Sequence, residues 1–424
     1  MDKLQIEGGV PLRGKIRIGG AKNAALPLMA TSLLTDQPIV LENIPKLSDI
    51  KTLSGVLMSL GVSVQEPEDK LNTLILQSDH INNVHADYDL VRKMRASILV
   101  LGPLVARHGK AEVSLPGGCA LGTRPVDLHI KGLERMGAKI ILEDGYIRAT
   151  APKGGLKGAD IAFPLISVTG TENLLMAATL AKGTTHLINA AREPEVIDLA
   201  DCLIKMGAKI SGAGTHTITI EGVPSLKGAT HPVLADRIET GTYIAAAGIT
   251  NGELELTNTT LDTLPTVVSL YEEAGLCFNK TKEGFIVSRK KGIKRLKSVD
   301  MITEPYPGFS TDLQAQFMAL MSLSEGSSTI TETIFENRFM HVAELIRMGA
   351  DIQIHGSSTT IKGKKELVGA PVMATDLRAS ACLVLAGLAA KGQTTVSRIY
   401  HLDRGYEAME TKLQACGAKI KRIP

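Results

Sequence analysis

Chemistry in this sequence concentrates in a few short segments. Cys119 stands in Ser114-Leu115-Pro116-Gly117-Gly118-Cys119-Ala120-Leu121-Gly122-Thr123-Arg124-Pro125, a glycine-rich stretch with an arginine five residues on. Permissive backbone beside a cation favours a thiolate, so a reactive thiol and a buried structural thiol are both open readings there. Elsewhere, polar residues cluster where strongly apolar stretches begin: Lys22 with Asn23, Arg95, Thr171 with Glu172 and Asn173, Arg237 with Glu239, Asp312 with Gln314, and Asp376 with Arg378. Met94-Arg95-Ala96-Ser97 in the first half echoes Leu377-Arg378-Ala379-Ser380 in the second. Helix starts offer unpaired N–H groups and the positive end of the dipole, so with Lys22, Arg95 and Arg378 they predict a phosphate or carboxylate site. Any one of these residues alone reads equally well as a cap; recurrence in register is what favours the site.

Other mechanistic templates are missing. The sequence has no GxxxxGK[ST], its one Gly-x-Gly (Gly212-Ala213-Gly214) lacks the third glycine, none of its ten histidines forms HExxH, and no GxSxG occurs. The expectation is a reaction without metal or redox cofactor. Cys202, Cys277, Cys382 and Cys416 sit in apolar settings and read as small core residues. With no CxxC pair among the five cysteines, no disulfide framework is implied.

The elements that position these residues follow a repeat. An amphipathic helix end, a glycine, a small or apolar residue and a β-type residue recur at Gly61, Gly137, Gly207, Gly275, Gly349 and Gly417, most fully in LERMGAKI, LIKMGAKI, LIRMGADI and LQACGAKI. Glycine suits a helix C-terminus there because it accepts the left-handed conformation. In the same register lie apolar helices nearly without a polar face, at residues 24–34, 96–106, 174–181, 243–249, 313–323 and 379–390, which must be buried on all sides. Each unit of about 70 residues then reads as one buried helix, a strand, an outer helix and a strand pair such as 209–211 with 217–221. The fold class is α/β.

Composition agrees. At 424 residues the chain exceeds one typical domain, and 44% hydrophobic against 21% charged residues excludes disorder. Aromatics at 3%, with no tryptophan, leave little for base stacking, and a net charge of +3 suggests no polyanion partner. The beginning MDKLQIEGG has no apolar core or cleavage site, and no apolar run approaches about 20 residues, so a cytoplasmic protein is expected.

The blocks GGAKNAALP at 19–27, Pro116–119 (PGGC), RPVDLH at 124–129, DRIETGT at 236–242, TDLQAQF at 311–317, FENRFMH at 335–341, ATDLRAS at 374–380 and HLDRGY at 401–406 are similar to those of the enolpyruvyl transferases, essentially end to end. The resemblance implies an inside-out α/β barrel of two domains with three repeats each and the active site in the cleft between them. Residues 22–229 would form one domain, carrying the Cys119 loop, and 1–21 plus 230–424 the other. The implied reaction passes the enolpyruvyl group of phosphoenolpyruvate to the 3-hydroxyl of UDP-N-acetylglucosamine by addition and elimination, committing the sugar to peptidoglycan, with no nucleic acid or membrane partner.

Residue by residue, the resemblance makes Cys119 the loop thiol, acid and adduct-forming group, and the target of fosfomycin. Lys22, Arg124 and Arg404 match cations that hold phosphoenolpyruvate, and Arg95 and Arg378 add positive charge. Asp312 matches the carboxylate at the sugar hydroxyl, as a base or an orienting group, although Thr311-Asp312 also suits a helix start. Asn23, Arg124, Pro125, Val126, Asp127, Leu128, Ser167, Val168, Thr169, Gly170, Asp312 and Ile334 match sugar-nucleotide contacts. Some members carry a basic residue before the Ser167 segment, where this chain reads Phe163-Pro164-Leu165-Ile166; backbone N–H groups are the expected diphosphate donors there. Arg338 and Asp376 rank second, since a buried ion pair explains either. His129 and His401 read as structural. The rivals are the branch acting on shikimate 3-phosphate, and a catalytically silent paralogue with a regulatory binding role.

Overall fold

The computed structural model describes residues 2–92, 94–115 and 126–424. Cys119, Arg124 and Pro125 lie outside the described residues. Contacts divide the chain into two compact units, one of residues 20–115 and 126–234, the other of 2–19 and 235–424. Each has its own hydrophobic core. Among the described residues Phe163 is the single aromatic side chain in the core of the first, whereas Tyr243, Tyr271, Phe285, Phe309, Phe317, Phe339 and Tyr406 all enter the second.

The six predicted repeats are present as six four-stranded sheets of one topology. In the third, Thr184–Ile188 pairs antiparallel with Thr217–Glu221, which pairs antiparallel with Lys209–Ser211, while Asp160–Ala162 adds in parallel on the other edge. The middle strand alternates buried and exposed positions, the period-two pattern of a sheet with one face on the core. The sixth sheet is completed from the other end of the chain. Lys3–Glu7 inserts between Gln393–Ser397 and Lys419–Ile423, antiparallel to both. Arg13–Arg17 then adds in parallel to Glu253–Thr257, just as Ala229–Pro232 adds to Ile39–Glu42 in the other unit.

The apolar stretches are the inner helices: Lys22–Ala30, Leu101–His108, Val168–Ala178, Arg237–Ile249, Gln314–Met321 and Leu377–Ala389. Every residue of Arg237–Ile249 and of Gln314–Met321 is buried. A uniformly apolar helix has no solvent face to keep, so it packs inside, and the three in the second unit pack on one another. Three inner helices adjoin a 3-10 turn that the sequence does not announce, at Thr31–Leu34, Arg95–Val100 and Thr311–Leu313.

The six repeat glycines all have positive φ, from 91° to 112°. At five of them the amide of the residue after the glycine returns to a carbonyl five back, as Ala138 does to Leu133 and Ala418 to Leu413, closing the outer helix in the expected way. The far ends of inner helices are tied down by arginines. Arg107 Nη1 donates to the Leu33 and Thr35 carbonyls at 3.3 and 2.7 Å, and Arg289 Nε to that of Gly248 at 2.9 Å. Basic groups at C-termini satisfy orphan carbonyls and the negative dipole end, leaving the N-terminal ends for other work.

Candidate active site

In the unit of residues 235–424, the N-terminal ends of the inner helices converge on Asp312. Its 3-10 turn is capped by Ser310, whose hydroxyl accepts from the Asp312 amide at 3.3 Å, so the carboxylate is not the cap. Arg378, in the first turn of Leu377–Ala389, reaches Asp312 Oδ2 with Nε at 3.1 Å and Nη2 at 2.7 Å. Arg338 Nη2 meets Oδ1 at 2.8 Å, and its Nη1 donates to Thr311 Oγ1 at 2.9 Å. The Asp312 side chain is 23% exposed, against 2% and 5% for the two arginines. A carboxylate at the edge is thus backed by two buried guanidiniums. Burial is the largest single influence on Arg378 and would lower its pKa, but the charge and hydrogen bond of Asp312, with Tyr406 and Asp236 beside it, together outweigh burial and hold the guanidinium above its ordinary value.

Of the two second-rank residues, Arg338 is the ion-pair partner and Asp376 is not. Asp376 Oδ1 accepts from the Arg378 and Ala379 amides at 2.8 and 3.1 Å, capping the helix that presents Arg378. Arg404 lies half-buried at the end of the turn Ile399–Arg404, and Ile334 is at the surface with its amide on Glu332 Oε1 at 2.8 Å. Glu332 also accepts from Thr303 and Thr311, so this buried carboxylate holds the Ile334 loop against the Asp312 turn. His401 is half-buried, its pKa lowered by burial and then by Arg404.

In the other unit, Lys22 opens its inner helix, 9% exposed, with Nζ 3.4 Å from Asp49 Oδ2. Asn23 follows it, half-buried, and Arg95 opens its 3-10 turn. Ser167 caps Val168–Ala178, its hydroxyl accepting from Gly170 N at 3.1 Å, so residues 167–170 form a helix start. Val126 is nearly buried, Leu128 half-buried, and Asp127 pairs with Lys131 at 3.0 Å at the start of Asp127–Arg135. His129 is structural. Its ring nitrogens lie 2.8 Å from Asn173 Nδ2 and 3.4 Å from Thr169 Oγ1, and burial, then Arg95, lowers its pKa to about 4. Asn173 Oδ1 takes the Gly102 amide at 2.7 Å, joining two inner helices.

Sequence reasoning missed Glu332, Thr242, Gln316 and Tyr406, a buried polar set beside Asp312. Thr242, Gln316 and Tyr406 fall within quoted blocks, but no local spacing pairs residues 90 positions apart. Among the described residues no three His, Cys, Asp or Glu side chains are placed to hold a metal ion, and no helix is long and apolar enough to cross a membrane.

Residues 6–413 match the EPSP synthase (3-phosphoshikimate 1-carboxyvinyltransferase) family. The UDP-N-acetylglucosamine 1-carboxyvinyltransferase of Cereibacter sphaeroides is 59% identical over 424 residues, and that of Granulibacter bethesdensis 60% over 423, each covering all of both chains. Among solved structures, the enolpyruvyl transferase NikO from Streptomyces tendae superposes with a TM-score of 0.88 at 25% identity, over 100% of this chain and 99% of its own. The EPSP synthase of Acinetobacter baumannii superposes at 0.76 over the whole of both chains, with 18% identity, a likeness of fold.

Proposed function

The chain belongs to the EPSP synthase family of carboxyvinyltransferases, and from that membership we infer that it transfers the enolpyruvyl group of phosphoenolpyruvate to the 3-hydroxyl of UDP-N-acetylglucosamine, releasing phosphate. The observation that carries the acceptor is identity of 59% and 60% along full length to carboxyvinyltransferases named for that sugar nucleotide. The product serves peptidoglycan synthesis.

The donor bears a charged carboxylate and a charged phosphate, and as its methylene carbon is protonated the acceptor oxygen attacks the central carbon between them. Lys22, Arg124 and Arg404 bind these oxyanions, with Arg95 adding positive charge. Asp312 accepts the hydrogen of the 3-hydroxyl. The two guanidiniums behind it fix its orientation, supporting the base or orienting role over the helix-start alternative. Protonation of the methylene carbon gives a tetrahedral adduct, and loss of that proton with phosphate restores the double bond. Cys119 is the acid and the thiol able to form an adduct with the donor. Asn23, Pro125, Val126, Asp127, Leu128 and Ile334 line the sugar nucleotide, and the amides of the Ser167–170 helix start take its diphosphate. Arg378 acts through Asp312, on which it spends Nε and Nη2.

Phosphate release from phosphoenolpyruvate tests this, with UDP-N-acetylglucosamine, shikimate 3-phosphate or no acceptor, each with and without fosfomycin pretreatment. Release with the sugar nucleotide alone, abolished by fosfomycin in the wild type and not in Cys119→Asp, is the expected result. Release with shikimate 3-phosphate would move the chain to that branch, and no release with either acceptor would refute an enzymatic role.

A further inference from the structure

Tyr406 is 2% exposed, two residues beyond Arg404, and the guanidinium carbon of Arg378 lies 5.5 Å from the centre of its ring. Its hydroxyl lies 2.9 Å from Thr242 Oγ1 and 3.0 Å from Gln316 Nε2. Directions follow from what each group can do. Thr242 spends its proton on the Ile238 carbonyl at 2.8 Å, so it accepts. The Gln316 amide nitrogen can only donate, and it lies 3.0 Å from the Tyr406 hydroxyl, 3.1 Å from Thr242 Oγ1 and 3.0 Å from the Asp312 carbonyl. The chain therefore runs from Gln316 N–H to the Tyr406 hydroxyl, to the Thr242 hydroxyl, to a helix carbonyl. Its members sit on inner helices Gln314–Met321 and Arg237–Ile249, and the ring they fix forms one wall of the guanidinium carried by Leu377–Ala389.

Arg378 needs such a wall. Two of its nitrogens hold Asp312, whereas Nη1 is buried with no hydrogen-bond partner among the described residues. A guanidinium anchored on one edge keeps freedom to rotate about that edge, and a ring face against it removes that freedom while offering cation–π attraction. Burial pushes the Tyr406 phenol above its ordinary pKa, so it remains a neutral hydroxyl donor.

We propose that Tyr406 is a positioning residue for the transfer reaction, locking the Arg378 guanidinium plane and through it the Asp312 carboxylate, with Thr242 and Gln316 as its anchors. Buried at 2% exposure, it acts through Arg378 and not on a substrate atom. The proposal rests on the reading of Asp312 as the group at the acceptor hydroxyl. Tyr406→Phe keeps the ring and loses both anchors, Thr242→Val removes the hydroxyl that accepts from Tyr406 and from Gln316, and Tyr406→Leu removes the ring.

The test measures kcat and KM for UDP-N-acetylglucosamine in these three variants beside the wild type, with folded fraction checked by circular dichroism. Misplacing a reacting group by a fraction of an ångström costs on the order of 10-fold in rate. The expected result is a fall in kcat of about 10-fold in Tyr406→Phe and in Thr242→Val, with KM changed by less than about 2-fold, and a larger fall in Tyr406→Leu. Rates in Tyr406→Phe and Thr242→Val within about 2-fold of wild type, or falling only in step with the folded fraction, would overturn the proposal. An inactive wild type would instead refute the assignment of the reaction. If Tyr406→Leu does not fold, the other two decide.

Discussion

Replacing Asp312 by asparagine preserves shape and removes the single charge that two buried guanidiniums share. Breaking a buried ion pair from one side costs about 3–5 kcal/mol, because the partner's charge stays in a poorly solvated place. Here the Arg378 and Arg338 side chains are 2% and 5% exposed, so both stay desolvated, while Asp312 at 23% is partly screened by water. The amide oxygen still accepts one bond. These opposing factors place the loss near the lower end, about 3 kcal/mol, which for a unit of some 200 residues lowers its transition by about 6–12 °C. The chain has no tryptophan, but Tyr243, Tyr271 and Tyr406 are all in the core of this unit, so near-ultraviolet circular dichroism of tyrosine follows it. In a double-mutant cycle, Arg338→Met added to Asp312→Asn should cost less than the sum of the two, by at least about 1 kcal/mol, because the second change removes a charge the first left stranded. Additivity within about 0.5 kcal/mol, or a melting shift under about 2 °C for Asp312→Asn, would refute the claim that this triplet holds the inner helix ends together.

Three further outcomes follow from other parts of the fold. His129 has a folded pKa of about 4, below the ordinary value of 6.5, so the stability its neutral ring contributes is complete above about pH 6.5 and is lost as pH falls toward 4. The wild type should lose about 1.4 kcal/mol per pH unit from this group in that window, and urea midpoints at pH 7.5 and 5 should show a shallower dependence in His129→Gln. A methyl on Gly102 would stand 2.3 Å from Asn173 Oδ1 and 2.5 Å from its carbonyl oxygen, so Gly102→Ala should cost about 3 kcal/mol in urea unfolding by prising two inner helices apart. Burial pushes the Cys202 thiol up to about 12 and raises Cys382 too, so iodoacetamide at pH 8 should leave both unlabelled in the native protein by peptide mass spectrometry, and label them in urea.

What could be read from sequence was what local physics writes into neighbouring residues. The repeat glycines announce helix ends because left-handed backbone is costly elsewhere, and the stretch 243–249 announces its burial by having no polar face. Lys22, Asp312 and Arg378 were visible as polar residues at apolar helix starts. The partners were not. Arg338 and Asp376 each read as half of an ion pair, yet one pairs with Asp312 and the other caps a helix, a choice made by packing among distant segments. Tyr406 and Thr242 are 164 residues apart and meet only because three repeats close on one another. A buried hydrogen-bond chain has no spacing to betray it.

The strand Lys3–Glu7 is made long before both of its neighbours, Gln393–Ser397 and Lys419–Ile423. At about 5–20 residues per second, some 20–80 s of synthesis separate them. In that interval the unit closed by Ala229–Pro232 has all its strands, while Leu4 and Ile6 wait without a sheet. Lys3, Gln5 and Glu7 alternate with them, and such polar neighbours discourage pairing with other nascent chains. The sixth sheet thereby ties the two ends of the second unit together: until residues 393–397 and 419–423 are made, Lys3–Glu7 has neither of its partner strands.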